Sequence, residues 1–180
     1  MNMPKKILLD SKKIQIILIR LVCELIENHK DFKNTILIGL QPRGVLLYKE
    51  ILKVIKKNHP KIDITSGILD FTFFRDDFRR SKKTLSANST QIDFSIENKK
   101  IILIDDVLYT GRSIKSAMSA IDSYGRPKSI ELLVLIDRRF KREIPIEPTY
   151  CGAKIDTFKG DKVRVIWDDK PVNNKVFIES

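Results

Sequence analysis

The chain has 180 residues, 42% of them hydrophobic, which suffices for one domain with a substantial core but not comfortably for two. A net charge of +11 favours an anionic partner such as a nucleotide, a diphosphate, RNA or a membrane surface. Cys23 and Cys151 fit neither a disulfide framework nor a metal-ligand spacing, and no apolar run approaches the roughly 20 residues of a membrane helix. We therefore expect one cytoplasmic domain, residues 1–180, without a membrane span.

The first predicted elements are a helix and then a strand–turn–helix unit. Asp10 and Ser11 are typical of a helix cap, and apolar residues recur at spacings of three and four over 14–26. The apolar run TILIGL at 35–40 predicts a strand. Helical spacing returns over 43–57 and predicts a second helix.

The middle of the chain continues this alternation. Residues 63–74 predict a strand or hairpin arm, and IILI at 101–104 predicts a central strand because it is aliphatic on both faces. A helix is predicted from about Arg112, with Gly125 placed to end it, and 129–137 predicts the next strand. The alternation indicates an α/β fold with an open, mostly parallel sheet flanked by helices.

Two regions depart from the alternation. Residues 75–95 are polar, charged and rich in serine, threonine and asparagine, which predicts a long loop. After Pro145 the chain contains short strand-like pieces at 163–167 and 175–178 but no helical pattern.

An acidic pair follows the predicted central strand. Asp105 and Asp106 stand at the carboxyl end of that strand, which is where open parallel sheets bind ligands. Adjacent carboxylates need hydroxyl groups, a cation or water, because burying them without partners costs free energy. Taken alone, the pair is also typical of a solvated turn with helix capping, so the residues after it decide between the two interpretations.

The turn behind the acidic pair has the features of a phosphate site. Thr110, Gly111, Arg112 and Ser113 meet the start of a predicted helix, where free backbone N–H groups and the helix dipole favour a phosphate. Gly111 permits close approach of the backbone, and the two hydroxyl groups can donate hydrogen bonds. A diol site and a monophosphate site a few residues apart match the layout of ribose 5-phosphate.

These motifs resemble a known family. IILIDDVLYTGRS resembles the 5-phosphoribosyl-1-diphosphate (PRPP) signature of type I phosphoribosyltransferases. DDVLYTGR in particular resembles the PyrR family, which pairs uracil phosphoribosyltransferase activity with RNA-binding attenuation of pyrimidine operons. The segments GLQPRGVLL, GILDFTFFRDDF and VLIDRR resemble the same family in the same order, so most of residues 11–155 is covered. The resemblance implies the type I phosphoribosyltransferase fold, with a small hood and a flexible loop.

The resemblance also implies roles for the matching residues. Asp105 and Asp106 would hold the ribose hydroxyl groups, Arg43 the leaving diphosphate, and Arg75 would begin a flexible catalytic loop over 75–83 that excludes water. That loop is equally typical of an ordinary solvated segment. The implied diphosphate loop is Pro42, Arg43 and Gly44, and the implied 5-phosphate loop is Val107, Leu108, Tyr109, Thr110, Gly111, Arg112 and Ser113.

For the base and the metal, the resemblance implies three consecutive residues. Ile136 and Arg138 would lie near the base, while Asp137 would reach a magnesium–diphosphate complex through water. Mg²⁺ is expected to arrive with PRPP, because it prefers a few carboxylates together with substrate phosphates. His29 and His59 are predicted to be surface residues rather than metal ligands.

Two segments differ from the family pattern. The family reads Asp-Arg-Gly-His-Arg-Glu-Leu-Pro where this chain reads DRRFKREIP at 137–145, with one extra residue. Because that segment is expected beside the base pocket, the preferred nucleobase stays open. Ala87 stands where the catalytic loop of the family has glycine.

Three function classes therefore remain. The first is transfer of ribose 5-phosphate from PRPP to a base, with uracil giving UMP and diphosphate. The second is an RNA-binding regulator that responds to uridine nucleotides and has little or no transferase activity, and the third is a sensor that binds PRPP without transfer. The family also implies a homo-oligomer, a dimer or larger. Candidate RNA phosphate contacts are Lys53, Lys56, Lys57, Arg79, Arg80, Lys82, Lys83, Arg139, Lys141 and Arg142.

Overall fold

The computed structural model describes residues 5–76, 87–157 and 160–179. The strands are β1 (Lys5–Leu9), β2 (Thr35–Leu40), β3 (Thr65–Leu69), β4 (Lys100–Leu108), β5 (Ser129–Arg138), β6 (Tyr150–Ile155), β7 (Lys162–Ile166) and β8 (Lys175–Glu179). The α-helices are α1 (Ser11–His29), α2 (Gly44–Asn58) and α3 (Arg112–Ile121). Short 3₁₀ turns cover Thr72–Phe74, Arg139–Lys141 and Pro171–Asn173.

The strands form two sheets. A parallel five-stranded sheet has the order β3-β2-β4-β5-β6, and an antiparallel three-stranded sheet has the order β1-β8-β7. Helices α1 and α2 pack on one face of the parallel sheet, and α3 packs on the other. The predicted open parallel sheet with flanking helices is confirmed. We call the three-stranded sheet the hood, because it joins the amino-terminal strand to the last two strands beside the carboxyl edge of the parallel sheet.

Helix α1 begins as the sequence predicts. The side chain of Asp10 caps the helix by accepting a hydrogen bond from the N–H of Lys13 at 2.9 Å. Ile14, Leu18 and Leu25 are buried on the face that contacts the sheet. Within the described residues, the structure contains no helix both long enough and apolar enough to cross a membrane.

Strand β4 is longer than IILI, and this extension places the acidic pair. Its pairing with β2 ends at Gly39 and Ile104, whereas its pairing with β5 continues to Leu108 and Asp137. The acidic pair therefore lies on a part of the strand that has only one hydrogen-bonded neighbour. Beyond Ile104, the edge of β4 that no longer pairs with β2 faces the start of α2.

Other boundaries also differ from the sequence predictions. The strand predicted over 63–74 is confined to Thr65–Leu69 and is followed by a 3₁₀ turn. Strands β1 and β6 were not predicted. Each is a short edge strand, and the partner of β1 is β8 at the other end of the chain. The described parts of the predicted loop, 75–76 and 87–95, contain a single isolated bridge, between Ile68 and Gln91.

The prediction that His29 is a surface residue is wrong. His29 follows Leu25 by four residues on the buried face of α1, and 8% of its surface is exposed. Its Nδ1 lies 3.0 Å from Thr35 Oγ1, and its Nε2 lies 3.0 Å from Glu131 Oε2 and 2.9 Å from Tyr150 Oη. Burial, assisted by the Glu131 carboxylate, raises the pKa of Tyr150 to about 12, so the phenol remains a hydrogen-bond donor. This cluster joins α1, β2, β5 and β6 at the edge of the sheet away from the acidic pair.

Replacing His29 by alanine is expected to lower the free energy of unfolding by about 2–4 kcal/mol, because the partners of both ring nitrogens lose a buried hydrogen bond. Urea denaturation of the wild type and the variant measures this loss. His59→Ala is the control, since His59 is half-buried beyond the end of α2, and we expect a change within about 0.5 kcal/mol. Equal losses in the two variants would contradict the structural role of the cluster.

Candidate active site

The turn from β2 into α2 fits tightly against the end of β4. Gly44 is buried, and a Cβ atom on it would lie 2.3 Å from the Ile104 carbonyl oxygen and 2.9 Å from the Asp105 Cα. Glycine is therefore required at this position for α2 to start so close to β4. The Gln41–Pro42 peptide bond, in the same turn, is cis. The exposed Arg43 is thereby held beside the acidic pair, where its charge acts on both carboxylates.

The acidic pair is largely withdrawn from solvent. Asp106 is 5% exposed and Asp105 is half-buried, and Asp105 Oδ1 accepts a hydrogen bond from the Asp106 N–H at 2.9 Å. Burial and the neighbouring Asp106 charge raise the pKa of Asp105 well above its ordinary value, while Arg43 opposes the shift. Burial also raises the pKa of Asp106, again against the effect of Arg43. Such carboxylates gain free energy when hydroxyl groups donate to them.

The residues after β4 form the start of α3. Gly111 is the cap residue, with a φ of 89° and a ψ of −6°, a left-handed conformation that favours glycine. A glycine cap supplies no side-chain acceptor, so it leaves the first-turn N–H groups of the helix available for a ligand. Thr110 and Ser113 are half-buried at this turn. The sequence-predicted phosphate site thus has the expected local geometry.

The side chain of Arg112 has partners within the protein. Its Nη1 contacts Asp76 Oδ2 and its Nε contacts Glu143 Oε2, and both ion pairs are about half exposed. Its N–H lies 3.4 Å from Thr110 Oγ1. A phosphate contact by the Arg112 side chain would therefore compete with these two ion pairs.

Arg75 lies near the 5-phosphate loop. Together with Thr110, Arg112 and Ser113, it lines a small cavity of about 140 Å³. The resemblance implied that Arg75 begins the catalytic loop, and in this structure Arg75 lies beside the proposed 5-phosphate site. Within the predicted catalytic loop, 77–83 lies outside the described residues, and so do the RNA candidates Arg79, Arg80, Lys82 and Lys83.

Arg138 is 5% exposed and firmly held. Its guanidinium donates to Thr157 Oγ1 at 3.1 and 3.0 Å and to the Asp161 carbonyl at 3.0 Å, and its Cζ lies 3.7 Å from the centroid of the Tyr109 ring. Arg138, Tyr109 and Arg43 line a cleft of about 470 Å³ whose other wall is residues 160–164, which are the start of the hood strand β7 and the two residues before it. Ile136, by contrast, is fully buried in the core, so a contact between Ile136 and a base would have to be made by its main chain.

Asp137 is also paired within the protein. It is 5% exposed, and its Oδ1 accepts a hydrogen bond from Arg142, whose Nη1 donates to the Tyr109 carbonyl. In the described part of the chain, no group of three or more histidine, cysteine or acidic side chains could hold a metal ion. A water-mediated contact of Asp137 with a metal would share this carboxylate with Arg142.

Sequence reasoning missed two contributions to this edge of the sheet. One is the hood wall at 160–164, and the other is the contact that 142–144 makes with the 5-phosphate loop. The hood wall carries no motif that marks a site. For 142–144, the only signal was the departure of 137–145 from the family pattern.

Comparisons with known proteins show the family of this chain. A phosphoribosyl transferase domain model matches residues 5–170. "Bifunctional protein PyrR" of Caldicellulosiruptor bescii is 42% identical over 174 residues, which span 97% of this chain and 94% of that protein. The protein of the same name from Bacillus subtilis is 40% identical over 178 residues, spanning 97% of this chain and 96% of that protein.

A solved structure supports the fold. The hypoxanthine phosphoribosyltransferase of Trypanosoma cruzi superposes with a TM-score of 0.70 at 16% identity, covering 97% of this chain and 96% of that chain. At that identity the similarity establishes the fold alone. Together with the sequence matches, it leads to one conclusion: the chain belongs to the phosphoribosyl transferase domain family and, within it, to the PyrR family.

Proposed function

We propose that this protein transfers ribose 5-phosphate from PRPP to uracil, which gives UMP and diphosphate. The observation that carries the proposal is the spacing on one strand end. Two destabilised carboxylates, Asp105 and Asp106, precede the glycine-capped start of α3 by a few residues, and Arg43 lies beside them. A pentose with two hydroxyl groups and a 5-phosphate fits that order of acceptors and donors.

The reaction is a displacement at C1 of the ribose. The bond from C1 to the diphosphate oxygen breaks, a bond from C1 to the base nitrogen forms, and the base loses its N–H proton. Asp105 and Asp106 fix the hydroxyl groups, residues 107–113 fix the 5-phosphate, and Arg43 stabilises the charge on the departing diphosphate. Arg75 lies on the phosphate side of this arrangement and adds positive charge there.

Magnesium fits the donor set as a cation that enters with the substrate. The oxygen donors at this edge are Asp105, Asp106 and Asp137, which are too few for an all-protein cage but suited to an ion that keeps water and phosphate ligands. When bound, Mg²⁺ neutralises charge on the diphosphate. Asp137 would hold the ion through water, and Arg142 already donates to its Oδ1.

The cleft between Arg138, Tyr109 and the hood is the proposed base site. Tyr109 carries no carboxylate, so the turn supplies no general base, and a pyrimidine with a fairly acidic ring N–H has less need of one. The stacking of Arg138 on the Tyr109 ring fixes both side chains at the rim of this cleft.

A base panel tests the proposal. The protein is incubated with PRPP, Mg²⁺ and uracil, cytosine, hypoxanthine, guanine or adenine, and released diphosphate is measured. We expect release with uracil and little with the others. Release with a different base alone would correct the substrate, and PRPP binding without release from any base would identify a sensor instead.

RNA binding is the second proposed function, because the relatives are named bifunctional and the net charge is +11. The described candidates differ in availability. Lys56 and Lys57 are exposed on the last turn of α2, whereas Arg139 is paired with Asp156 and Arg142 with Asp137.

Salt separates the two proposed functions. Binding of a pyrimidine-operon leader RNA, measured by filter retention from 50 to 200 mM salt, is expected to weaken by about 10³-fold or more if six or more phosphates are contacted. PRPP turnover should change far less over the same range. RNA affinity that does not depend on salt would contradict a phosphate-contacting surface.

A further inference from the structure

The segment Arg142–Ile144 makes a series of contacts with the 5-phosphate loop. The main-chain N–H groups of Glu143 and Ile144 both donate to the Thr110 carbonyl, at 2.9 and 3.0 Å. The side chain of Arg142 donates to the preceding carbonyl, that of Tyr109. A Cβ atom on Gly111 would lie 3.1 Å from Ile144 Cβ, so the segment also packs directly against the cap of α3.

Ion pairs extend these contacts to a second segment. Arg112, the first residue of α3, lies between Glu143 and Asp76, and Asp76 follows the 3₁₀ turn at Thr72–Phe74. Glu143 and, to a smaller extent, Asp76 raise the pKa of the Arg112 guanidinium. The 5-phosphate loop is thus held by hydrogen bonds to the Tyr109 and Thr110 carbonyl groups and by the ion pairs of the Arg112 side chain.

This position differs from the one that the sequence predicts for the segment. Residues 137–145 were expected beside the base pocket, and Arg138 does line the cleft proposed for the base, together with Arg43, Tyr109 and residues 160–164, whereas residues 142–144 do not line it. The contacts of 142–144 instead fall on Tyr109, Thr110 and the start of α3.

We propose that Arg142, Glu143 and Ile144 form a strap that positions the 5-phosphate loop, with Asp76 completing it through Arg112. The strap sets the affinity for the phosphate end of PRPP and not the choice of base. A loop already held in its binding geometry loses less conformational entropy when the phosphate binds, so weakening the strap weakens phosphate binding. Asp76 and Glu143 are positioning residues in this proposal, which rests on the proposed transferase function.

The test uses Glu143→Gln, Asp76→Asn and the double variant, because the neutral amides keep the size of each side chain and remove its charge. We expect the KM for PRPP and the Kd for ribose 5-phosphate, measured by calorimetry, to rise about 3- to 10-fold in each variant. The KM for uracil should stay within about twofold. The double variant should show less than the product of the single effects, since both carboxylates act on one guanidinium.

Asp156→Asn is the matched control. Asp156 pairs with Arg139 at the same level of exposure as the Arg112 pairs, and it follows β6 outside the loop. Hydrogen–deuterium exchange of residues 109–113 gives a readout without turnover: it should rise in the Glu143 and Asp76 variants and stay unchanged in the control.

The outcomes are distinguishable. Suppose that the wild type turns over PRPP, but the strap variants have the same KM for PRPP, Kd for ribose 5-phosphate and hydrogen exchange as Asp156→Asn. That result would overturn the strap and leave the proposed transferase function standing. A rise in the KM for uracil that equals the rise for PRPP would also overturn it, since that pattern indicates a general loss of structure. A wild type that neither turns over PRPP nor binds ribose 5-phosphate would overturn the proposed function and the strap together.

Discussion

Replacing Asp105 and Asp106 together by asparagine is expected to abolish transferase turnover and at the same time to stabilise the folded protein at neutral pH. The loss of turnover should be on the order of 10³-fold or more, because the amides no longer accept charge-assisted hydrogen bonds from the ribose hydroxyl groups. The gain in stability follows from the raised pKa of both carboxyls, which burial causes in each case. A purely structural pair would behave in the opposite way.

The pH dependence gives the sign of this effect. When the folded-state pKa of a carboxyl is raised above 3.8, the carboxyl stabilises the folded protein at pH values below 3.8. This stabilisation is lost as the pH rises through the raised pKa. Ionising these buried carboxyls in the folded protein therefore has a free-energy cost that asparagine does not have. The double variant should therefore have a higher free energy of unfolding than the wild type at pH 7, by more than the exposed control pair described below.

Urea denaturation at pH 7 and at about pH 3.5 measures the effect, which should shrink markedly at the acid pH. The control is Asp63→Asn with Asp93→Asn, which removes the same charge from two exposed positions. A double Asp105/Asp106 variant that is destabilised at pH 7, or that turns over PRPP at the wild-type rate, would refute the role of the acidic pair.

Gly44→Ala is expected to have the second largest effect. The new methyl group would overlap the Ile104 carbonyl oxygen, at 2.3 Å, and approach the Asp105 Cα at 2.9 Å. Because these atoms belong to the backbone of β4, α2 must move away. We expect an unfolding free energy lower by about 1–3 kcal/mol and a kcat/KM for PRPP lower by about 10²-fold, since Arg43 moves with the helix.

Gly152→Ala is the matched control. Its Cβ atom would lie 2.4 Å from the Leu135 carbonyl oxygen, a similar overlap with a strand backbone, but on β6 beneath α1. Both variants should lose stability in urea denaturation. Only Gly44→Ala should lose kcat/KM per folded molecule, and equal kinetic losses in the two variants would contradict a specific role for the α2 start.

Much of this edge of the sheet could be predicted from local sequence. The apolar spacing of α1, its Asp10 cap and the buried run of β2 each depend on neighbours within one or two turns. The phosphate loop has the same property, because Gly111 and the first turn of α3 are adjacent in the chain. The burial of His29 was within reach as well, since it continues the spacing of Leu25 by one more turn.

By itself, the sequence determined the alternation of strands and helices, the acidic pair and the phosphate turn, because periodicity and capping act over a few residues. Only the tertiary structure decided that β1 pairs with β8, that the hood covers the cleft beside Arg138, and that residues 142–144 hold the 5-phosphate loop. Each of these contacts joins segments that are distant in the chain. Their free energy arises from packing and hydrogen bonds that no local pattern of residues encodes.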